Sequence, residues 1–355
     1  MTRGGAIVIT LIAMATAAEP TVAQTLRRGS LADSAGAYVW IDGSYQSVSL
    51  PTVVNFGIQG LLPATATPGG SEKHDPRLNG YGVNGGLGYL FAPGTFSSIW
   101  GSNVRIELGA NYVNAKGTGH SESARVTNVN LTALPLTGVA FGILGCGGAT
   151  CFTRSTLSSD YMAWNIDLKA KSDFRSGAWT ITPSIALLAG RGRTHQRLAQ
   201  QTFVNDAPYP MVGYDMSAAL RWTDVGARLG IETRYDFANG LSAGLMGSIG
   251  LAHRSASLAA DSSTLFGAPV PRLSAMQDDR SKVPLLANLE ARLTARFMPG
   301  VTARGFVGLN YDSDVPGIEA PQSLAFAATG IPARIKFDPT TSYYAGAGLN
   351  VSFGP

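Results

Sequence analysis

The chain has 355 residues, of which 14% are charged, 43 are glycine and two are cysteine, and its formal net charge is +4. A typical soluble domain contains about 25% charged residues, so this composition is unusually low in charge. After the N-terminus no apolar run reaches the ~18 residues of a transmembrane helix, which argues against a helical membrane protein. The basic residues are scattered, which argues against nucleic-acid binding. The composition is typical of a β-rich protein.

The N-terminal segment has the pattern of a secretory signal peptide. Arg3 precedes an apolar run from Ala6 to Ala18, and the small residues Thr21-Val22-Ala23 follow. A basic start, a short apolar core and small residues at positions −3 and −1 are the features of a cleaved export signal. We predict cleavage after Ala23, with Ala18 as the alternative. Residues 1–23 are then the signal peptide, and residues 24–355 are the mature domain.

Ten segments alternate apolar and polar residues with a period of two, which is the period of a β-strand. In VGARLGIETRYDF, residues 225–237, the odd positions are uncharged and mostly apolar, and the even positions carry every charge. In chain order the predicted strands cover 38–49, 81–91, 104–112, 162–170, 179–187, 225–237, 241–251, 285–297, 301–311 and 343–353.

The connections between these strands alternate between short and long. The short ones are 92–103, 173–177, 238–240 and 298–300, and the long ones are 50–79, 116–157, 191–222, 257–282 and 313–341. This layout predicts an all-β fold, a transmembrane antiparallel up-and-down β-barrel with short periplasmic turns and long extracellular loops. The long connections leave room for one more hairpin, over 125–136 or 211–222, so twelve strands are the alternative.

The two faces of the strands predict a lipid side and a lumen side. In lipid every backbone N–H and C=O must pair within the protein, so only a closed barrel lets strands cross. The apolar parity then faces lipid, and aromatic residues such as Phe237, Phe353, Tyr81 and Tyr343 fall at its two rims, as in the aromatic girdles of such barrels.

The charged residues of the predicted strands share the lumen parity. Because buried charges are costly unless paired, their mixture of signs predicts a paired and partly hydrated network. The predicted lumen-facing charges are Arg105, Glu107, Asp167, Lys169, Lys171, Arg228, Glu232, Arg234, Glu290, Arg292, Arg296 and Arg304.

Both cysteines lie in the sequence CGGATC, within the second long connection. An exported chain passes through an oxidising compartment, so we predict a disulfide between Cys146 and Cys151. A metal site would need further ligands, and none lie nearby. The sequence predicts no metal and no cofactor.

One short motif carries the residue types of a hydrolase. The sequence GHSES contains His120, Ser121 and Glu122. Catalytic triads depend on a spatial geometry that three consecutive residues rarely achieve. We therefore predict an ordinary polar loop here and no enzymatic activity, and we interpret His253, on the lipid parity near the outer rim, as an interfacial histidine.

Several segments resemble the Legionella-type major outer membrane protein family, namely GYGVNGGLGYLF at 80–91, VGARLGIETRYDFANGLSAGLMGSIGLA at 225–252 and LLANLEARLTARFMPGVTARGFVGLNYD at 285–312. The resemblance implies an outer-membrane β-barrel with porin-like or surface-interaction roles, and it implies no catalytic residues. Barrel chains commonly end on an aromatic residue that the barrel assembly machinery reads. Here Phe353 stands two residues before the end, although on the lipid parity.

Two functions remain open from the sequence. About eight strands enclose a lumen that side chains just fill, so ten strands predict a narrow lumen. The first function is a porin-like channel for small solutes, with a slight anion preference from the excess of inward arginine and lysine. The second is a structural or surface-binding barrel with a closed lumen that acts through its extracellular loops. Both predict the bacterial outer membrane as the location, and both predict lipid, lipopolysaccharide and the barrel assembly machinery as partners.

Overall fold

The computed structural model describes residues 35–56, 71–92, 95, 103–127, 130–133, 141–145, 148–237, 240–264, 273–319 and 333–353. The strands in this part of the chain are β1 (Gly36–Ser49), β2 (Val53–Phe56), β3 (Ser71–His74), β4 (Arg77–Leu90), β5 (Asn103–Glu122), β6 (Val126–Thr127), β7 (Asn130–Ala133), β8 (Phe141–Gly145), β9 (Thr150–Ser176), β10 (Trp179–Val204), β11 (Ala207–Asp236), β12 (Leu241–Thr264), β13 (Leu273–Lys282), β14 (Leu285–Met298), β15 (Val301–Glu319) and β16 (Arg334–Phe353). Among these residues no helix is long and apolar enough to cross a membrane.

Ten strands close into a ring. Strands β1, β4, β5, β9, β10, β11, β12, β14, β15 and β16 each pair antiparallel with the next, and β16 pairs with β1 from Ala37↔Phe353 to Ser47↔Tyr343. The predicted ten-stranded up-and-down barrel is therefore confirmed. In the part of the chain that the structure describes, neither candidate for an extra hairpin adds to the ring, because 211–222 lies inside β11 and β6 only extends the sheet beside β9.

The short turns and the lipid-facing surface follow the predicted pattern. Gly240 and Gly300 have φ values of 78° and 81°, a left-handed conformation that tight hairpin turns require and that glycine adopts without strain. Residues of the apolar parity point outward, as Leu229 (60% exposed) and Leu293 (49% exposed) illustrate. These exposed apolar side chains are favourable in contact with lipid.

Four neighbouring strands extend far past the membrane. A tilted strand needs about 9–11 residues to cross a bilayer, whereas β9 has 27 residues and β11 has 30. The connection 191–222, predicted as a long loop, is long but is mostly a continuous ribbon, because β10 and β11 stay paired from Trp179↔Tyr235 to Val204↔Ala207 with one irregularity after Gln201. The described residues of the extracellular side are therefore largely β-structure.

Shorter strands complete this extracellular part. The β2–β3 hairpin lies in the connection between β1 and β4, β7 pairs with β8, and β13 pairs with β12 above the point where β14 begins. The short β6 pairs with the start of β9. These additions stand at the ends of the long strands, on the side opposite the short turns.

Candidate functional site

The structure places the predicted lumen charges around two cavities inside the barrel, an upper one of ≈ 400 Å³ on the extracellular side and a lower one of ≈ 830 Å³ on the periplasmic side. The charges that line only the upper cavity are Asp167, Lys169, Arg228 and Glu290. Those that line only the lower cavity are Arg105, Glu232, Arg234 and Arg296. Those that line both are Glu107, Lys171, Arg292 and Arg304, so these four side chains separate the two cavities.

The charges between the cavities are paired with opposite charges or hydroxyl groups. Lys171 Nζ lies 2.8 Å from a carboxylate oxygen of Glu107, and the hydroxyl of Tyr38 donates to the same carboxylate over 2.7 Å. Arg304 Nε donates to Asp42 Oδ1 over 2.7 Å. Because these groups are largely removed from water, pairing offsets much of their desolvation cost.

Several of these contacts join strands that are not neighbours in the ring. Tyr38 on β1 reaches Glu107 on β5 past β4. Arg292 on β14 lies 3.5 Å from Glu232 on β11, past β12, and 2.6 Å from Glu290 on its own strand. These side chains therefore reach along the curved inner wall past the strand between them.

An arginine that the sequence reasoning missed lies at the extracellular end of this polar lumen. Arg254 is 3% exposed. Its guanidinium donates to both carboxylate oxygens of Asp224, over 2.7 and 2.8 Å, and to Asp312 over 3.0 Å, and it also donates to the carbonyl of Asp314 over 2.7 Å. The predicted strand ended at residue 251. Extending the same alternation by three residues places residue 254 on the lumen parity, so this signal was present in the sequence.

Beyond this cluster the polarity of the two strand faces is exchanged. Along β11 the inward side chains Met216, Leu220 and Trp222 are apolar and buried, and from Asp224 onward the inward side chains are polar or glycine. The outward side chains change in the opposite sense, from polar at Arg221 and Thr223 to mostly apolar from Val225 onward. The strand keeps one parity throughout, and only the chemistry of each face changes.

Many of the inward apolar residues of the extracellular part form one large buried core. They come from strands around the ring and from the β2–β3 hairpin, and Tyr161 packs against Trp222 with ring centroids 5.9 Å apart. The core residues are Val53, Leu157, Leu198, Met216, Ala218, Leu220, Trp222, Ala256, Leu258, Ala260, Ile318, Ala333 and Ile335. The interior above the upper cavity therefore contains a packed apolar core, beside which buried polar side chains such as Gln196 and Gln200 also lie.

A buried polar cluster holds the β2–β3 hairpin in this interior. The hydroxyl groups of Thr153 and Ser155 donate to the carboxylate of Glu72, and Gln200 Nε2 donates to it over 3.3 Å. His74 Nε2 lies 2.7 Å from Ser155 Oγ. Burial lowers the pKa of His74, and the nearby His120 lowers it further.

This cluster contains a serine, a histidine and a carboxylate, but its geometry is that of an anchor. Ser155 directs its proton to Glu72 rather than to His74, and Glu72, His74 and Ser155 are each at most 3% exposed. Sequence reasoning did not pair His74 with Glu72. The signal it missed is the spacing in SEKH, because residues two apart on a strand share one face.

The GHSES residues are not brought together. They end β5, where the side chains of His120 and Glu122 are exposed and Ser121, between them in the strand, points to the other face. Glu122 forms ion pairs with Arg125 and Arg154, at 3.2 and 2.8 Å. His253 faces outward and is exposed, two residues beyond the lipid-facing Leu251.

Two further predictions concern residues outside the described part of the chain. Cys151 is buried at the start of β9 and packs with Phe152, but Cys146 lies outside the described residues, so the disulfide stays a prediction. The predicted signal peptide, residues 1–23, also lies outside them.

Comparisons with known proteins bear on the fold alone. No protein-family model and no curated protein sequence matches the chain, so the resemblance to the Legionella-type family stays a prediction. Among solved structures, the outer membrane protease OmpT from Escherichia coli is 11% identical with a TM-score of 0.42, over 93% of this chain and 100% of that chain. A Pseudomonas aeruginosa FadL homologue is 12% identical with a TM-score of 0.25, over 90% of each chain. The transport unit of the Escherichia coli autotransporter AIDA-I is 8% identical with a TM-score of 0.30, over 98% and 97%.

The closed antiparallel ring, the outward apolar belt and the charged interior define the class of protein. The chain is a transmembrane β-barrel of the outer-membrane type, with ten strands in its ring.

Proposed function

We propose that this protein is a surface-interaction barrel, in which the membrane-spanning part is an anchor with a closed lumen and the extracellular β-structure makes the functional contacts. The observation that carries this proposal is the apolar core above the upper cavity. A water-filled pore needs open space, and the buried, packed side chains of Leu198, Leu258 and Ile335 leave little room for a hydrated solute at this level.

The ion pairs of the lumen support the same proposal. Among the predicted lumen charges the cations outnumber the acids, but further inward acids compensate them. Asp42 pairs with Arg304, and Asp173 accepts a hydrogen bond from Arg105 over 3.0 Å. A network of this kind stabilises the barrel by tying its walls together, and it reduces the free positive charge that an anion-selective pore would use.

A porin-like channel for small solutes is the second candidate. It is favoured by the two charged cavities, of ≈ 400 and ≈ 830 Å³, which lie one above the other. This reading requires the apolar core or the β2–β3 hairpin to move aside during transport.

Single-channel recording in planar bilayers separates the two candidates. We expect no steady conductance from the wild-type protein. A variant in which residues 51–76 are replaced by a short linker removes the hairpin and Val53 from the core, and it should conduct. Removal of the other hairpin, residues 130–145, is the matched control and should stay silent. A steady, anion-preferring conductance from the wild-type protein would instead establish the porin-like channel.

The binding role is tested on whole cells. Cells that display the wild-type barrel should adhere to at least one member of a panel of immobilised polysaccharides and proteins. A variant in which residues 192–222 are replaced by a tight turn should lose that adhesion while still migrating as a heat-modifiable folded barrel. Equal adhesion by both forms would refute a role for the β10–β11 extension.

We also propose that the function of this protein is binding rather than catalysis, because the GHSES side chains are apart and the serine of the Glu72 cluster is buried.

We further propose that the protein is exported to the outer membrane. Residues 1–23 are removed, so N-terminal sequencing of the outer-membrane fraction should begin at Gln24. Cys146 and Cys151 are paired, so thiol labelling of the folded protein should require prior reduction. Recovery of the folded protein from the soluble periplasmic fraction would refute the location.

A further inference from the structure

We propose that Arg191, Arg193 and Arg221 form a binding site for the phosphate groups of outer-leaflet lipopolysaccharide. The site lies on the outside of the barrel, where β10 and β11 leave the membrane, and it is independent of the closed or open state of the lumen. Lipid contact is expected of every such barrel. A specific site for the phosphates is not.

The three arginines are neighbours on one outward face. Arg193 and Arg221 stand directly opposite each other in the β10–β11 pairing, and Arg191 is two positions along β10 from Arg193. All three side chains are exposed. Residues directly opposite on one face have Cβ atoms about 4.5–5.5 Å apart, and like charges in this position destabilise the sheet unless an anion lies between them.

The protein does not provide that anion from its described residues. The outward acidic side chains of β9 and β11 above the apolar belt are already paired, since Asp160 lies 3.1 Å from Lys116 and Asp215 lies 3.3 Å from Arg197. Across the described ranges no carboxylate forms an ion pair with Arg191, Arg193 or Arg221. Three adjacent guanidinium groups are therefore available to a ligand.

The position of the three arginines fits a lipid phosphate. Ala189 on β10 and Val225 on β11 are the last apolar outward residues before the polarity of the faces changes, and Trp164 stands opposite Arg191 on the neighbouring strand. A strand rises ~3.3 Å per residue, so the arginines begin within roughly one headgroup thickness of the apolar belt. Tryptophan is enriched at the same interface.

The chemistry of the ligand follows from these two facts. A guanidinium binds phosphate through two parallel charge-assisted hydrogen bonds, which makes arginine the residue suited to phosphate recognition. Lipopolysaccharide carries phosphate groups directly above its acyl chains. Its chains can lie along the outward surface of Ile185, Leu187 and Leu229 while its phosphates reach the arginines. A free phosphate ion would use the arginines alone.

The test measures lipid binding by the full barrel in detergent, by native mass spectrometry. The probes are lipid A with two phosphates, the same lipid without phosphates, and inorganic phosphate. The site variant carries Arg191→Gln, Arg193→Gln and Arg221→Gln. The control variant removes the same charge from other exposed outward positions, with Lys116→Gln, Arg154→Gln and Arg197→Gln. Heat modifiability verifies that both variants are folded.

We expect the site variant to bind diphosphorylated lipid A at least about tenfold more weakly than the wild type, and the control variant to change by about twofold or less. Phosphate-free lipid A should bind equally to all three proteins. Equal losses in the site and control variants would overturn the site in favour of general electrostatic attraction. Saturation of the arginines by inorganic phosphate as effectively as by lipid A would overturn the lipid assignment.

Discussion

Strand β11 contains two regions that differ in which face is apolar. In residues 215–223 the buried inward side chains are apolar and the outward ones are mostly polar, whereas in residues 225–235 the outward side chains are mostly apolar and the charges point inward. The backbone conformation and the parity are the same in both. The comparison teaches that alternation alone identifies a strand, while the solvent on its outer side determines which residues belong inside.

Different interactions stabilise the two regions. The extracellular region excludes water from an apolar core, as a soluble protein does. The membrane region gains no hydrophobic stabilisation from its outer face, because lipid is itself apolar. Its interior is stabilised by ion pairs such as Arg292–Glu290. Arg254 on β12 lies where the two regions meet, because it stands opposite Asp224, the inward residue of β11 that follows Trp222.

The largest effect is expected at that junction. The substitution Arg254→Ala leaves Asp224 and Asp312 partly buried without their cation, which should lower the free energy of unfolding by about 3–5 kcal/mol. Denaturant titration in lipid vesicles measures this. Adding Asp224→Asn and Asp312→Asn should restore part of the loss, since the unpaired charges are removed. A loss below about 1 kcal/mol in the single variant would show that the junction is hydrated.

The next effect compares one substitution in both regions of β10. Leu198→Ala opens a cavity in the extracellular core and should cost about 2–5 kcal/mol. Leu188→Ala, ten positions earlier on the same inward parity, removes a side chain that already borders the upper cavity, and it should cost about 1 kcal/mol. Equal costs in the same vesicle titration would contradict the division between a packed region and a wet one.

The outward faces give a third comparison, on β12. Leu245 is 51% exposed near the middle of the apolar belt. The substitution Leu245→Arg should destabilise by about 2–4 kcal/mol because the charge enters lipid. Ala259→Arg, on the same parity in the extracellular region, should change stability by no more than about 0.5 kcal/mol. If both were harmless, the membrane boundary would have to be placed elsewhere along the strand.

The smallest effect concerns pH and the β2–β3 hairpin. Burial lowers the pKa of His74 below that of the unfolded chain, 6.5, so opening of the hairpin takes up a proton at pH values between the two. The hairpin should therefore lose stability as the pH falls below about 6.5. Glu72, Asp75, His120 and Ser155 are the groups around it.

Hydrogen exchange of the β3 amides, corrected for the intrinsic rate, measures this loss. Protection should decrease with pH in the wild type and should be independent of pH between 5 and 7 in His74→Gln, apart from any effect of the remaining groups. Protection that increases on acidification would reverse the sign and refute the assignment.

The ring of strands could be predicted from the sequence because its lipid-facing pattern has no ambiguity. Runs such as Leu285 to Phe297 keep charge off one parity, and lipid enforces this at a cost of several kcal/mol per violation. The lumen positions of residues such as Arg228 and Glu232 follow from the same parity.

The extracellular region could not be predicted in the same way. Its strands continue past Leu251 and Val225 with the polarity exchanged, so a scan for one apolar parity stops at the boundary and reports a loop. For this reason the predicted lumen charges did not include Arg254. The contacts of Glu72 with Thr153 and Gln200 join residues far apart in sequence, and no local pattern contains that information.

The pairing of β1 with β16 has a consequence for how the molecule is made. The first strand of the ring meets the last, so the register Ala37↔Phe353 cannot form until the C-terminal strand has been synthesised. Before that moment an unfinished sheet carries two edges of unpaired N–H and C=O groups, which lipid cannot satisfy. Pairing of β16 with β1 therefore satisfies the last two edges of the sheet, and we expect a chain truncated before β16 to keep both edges unpaired.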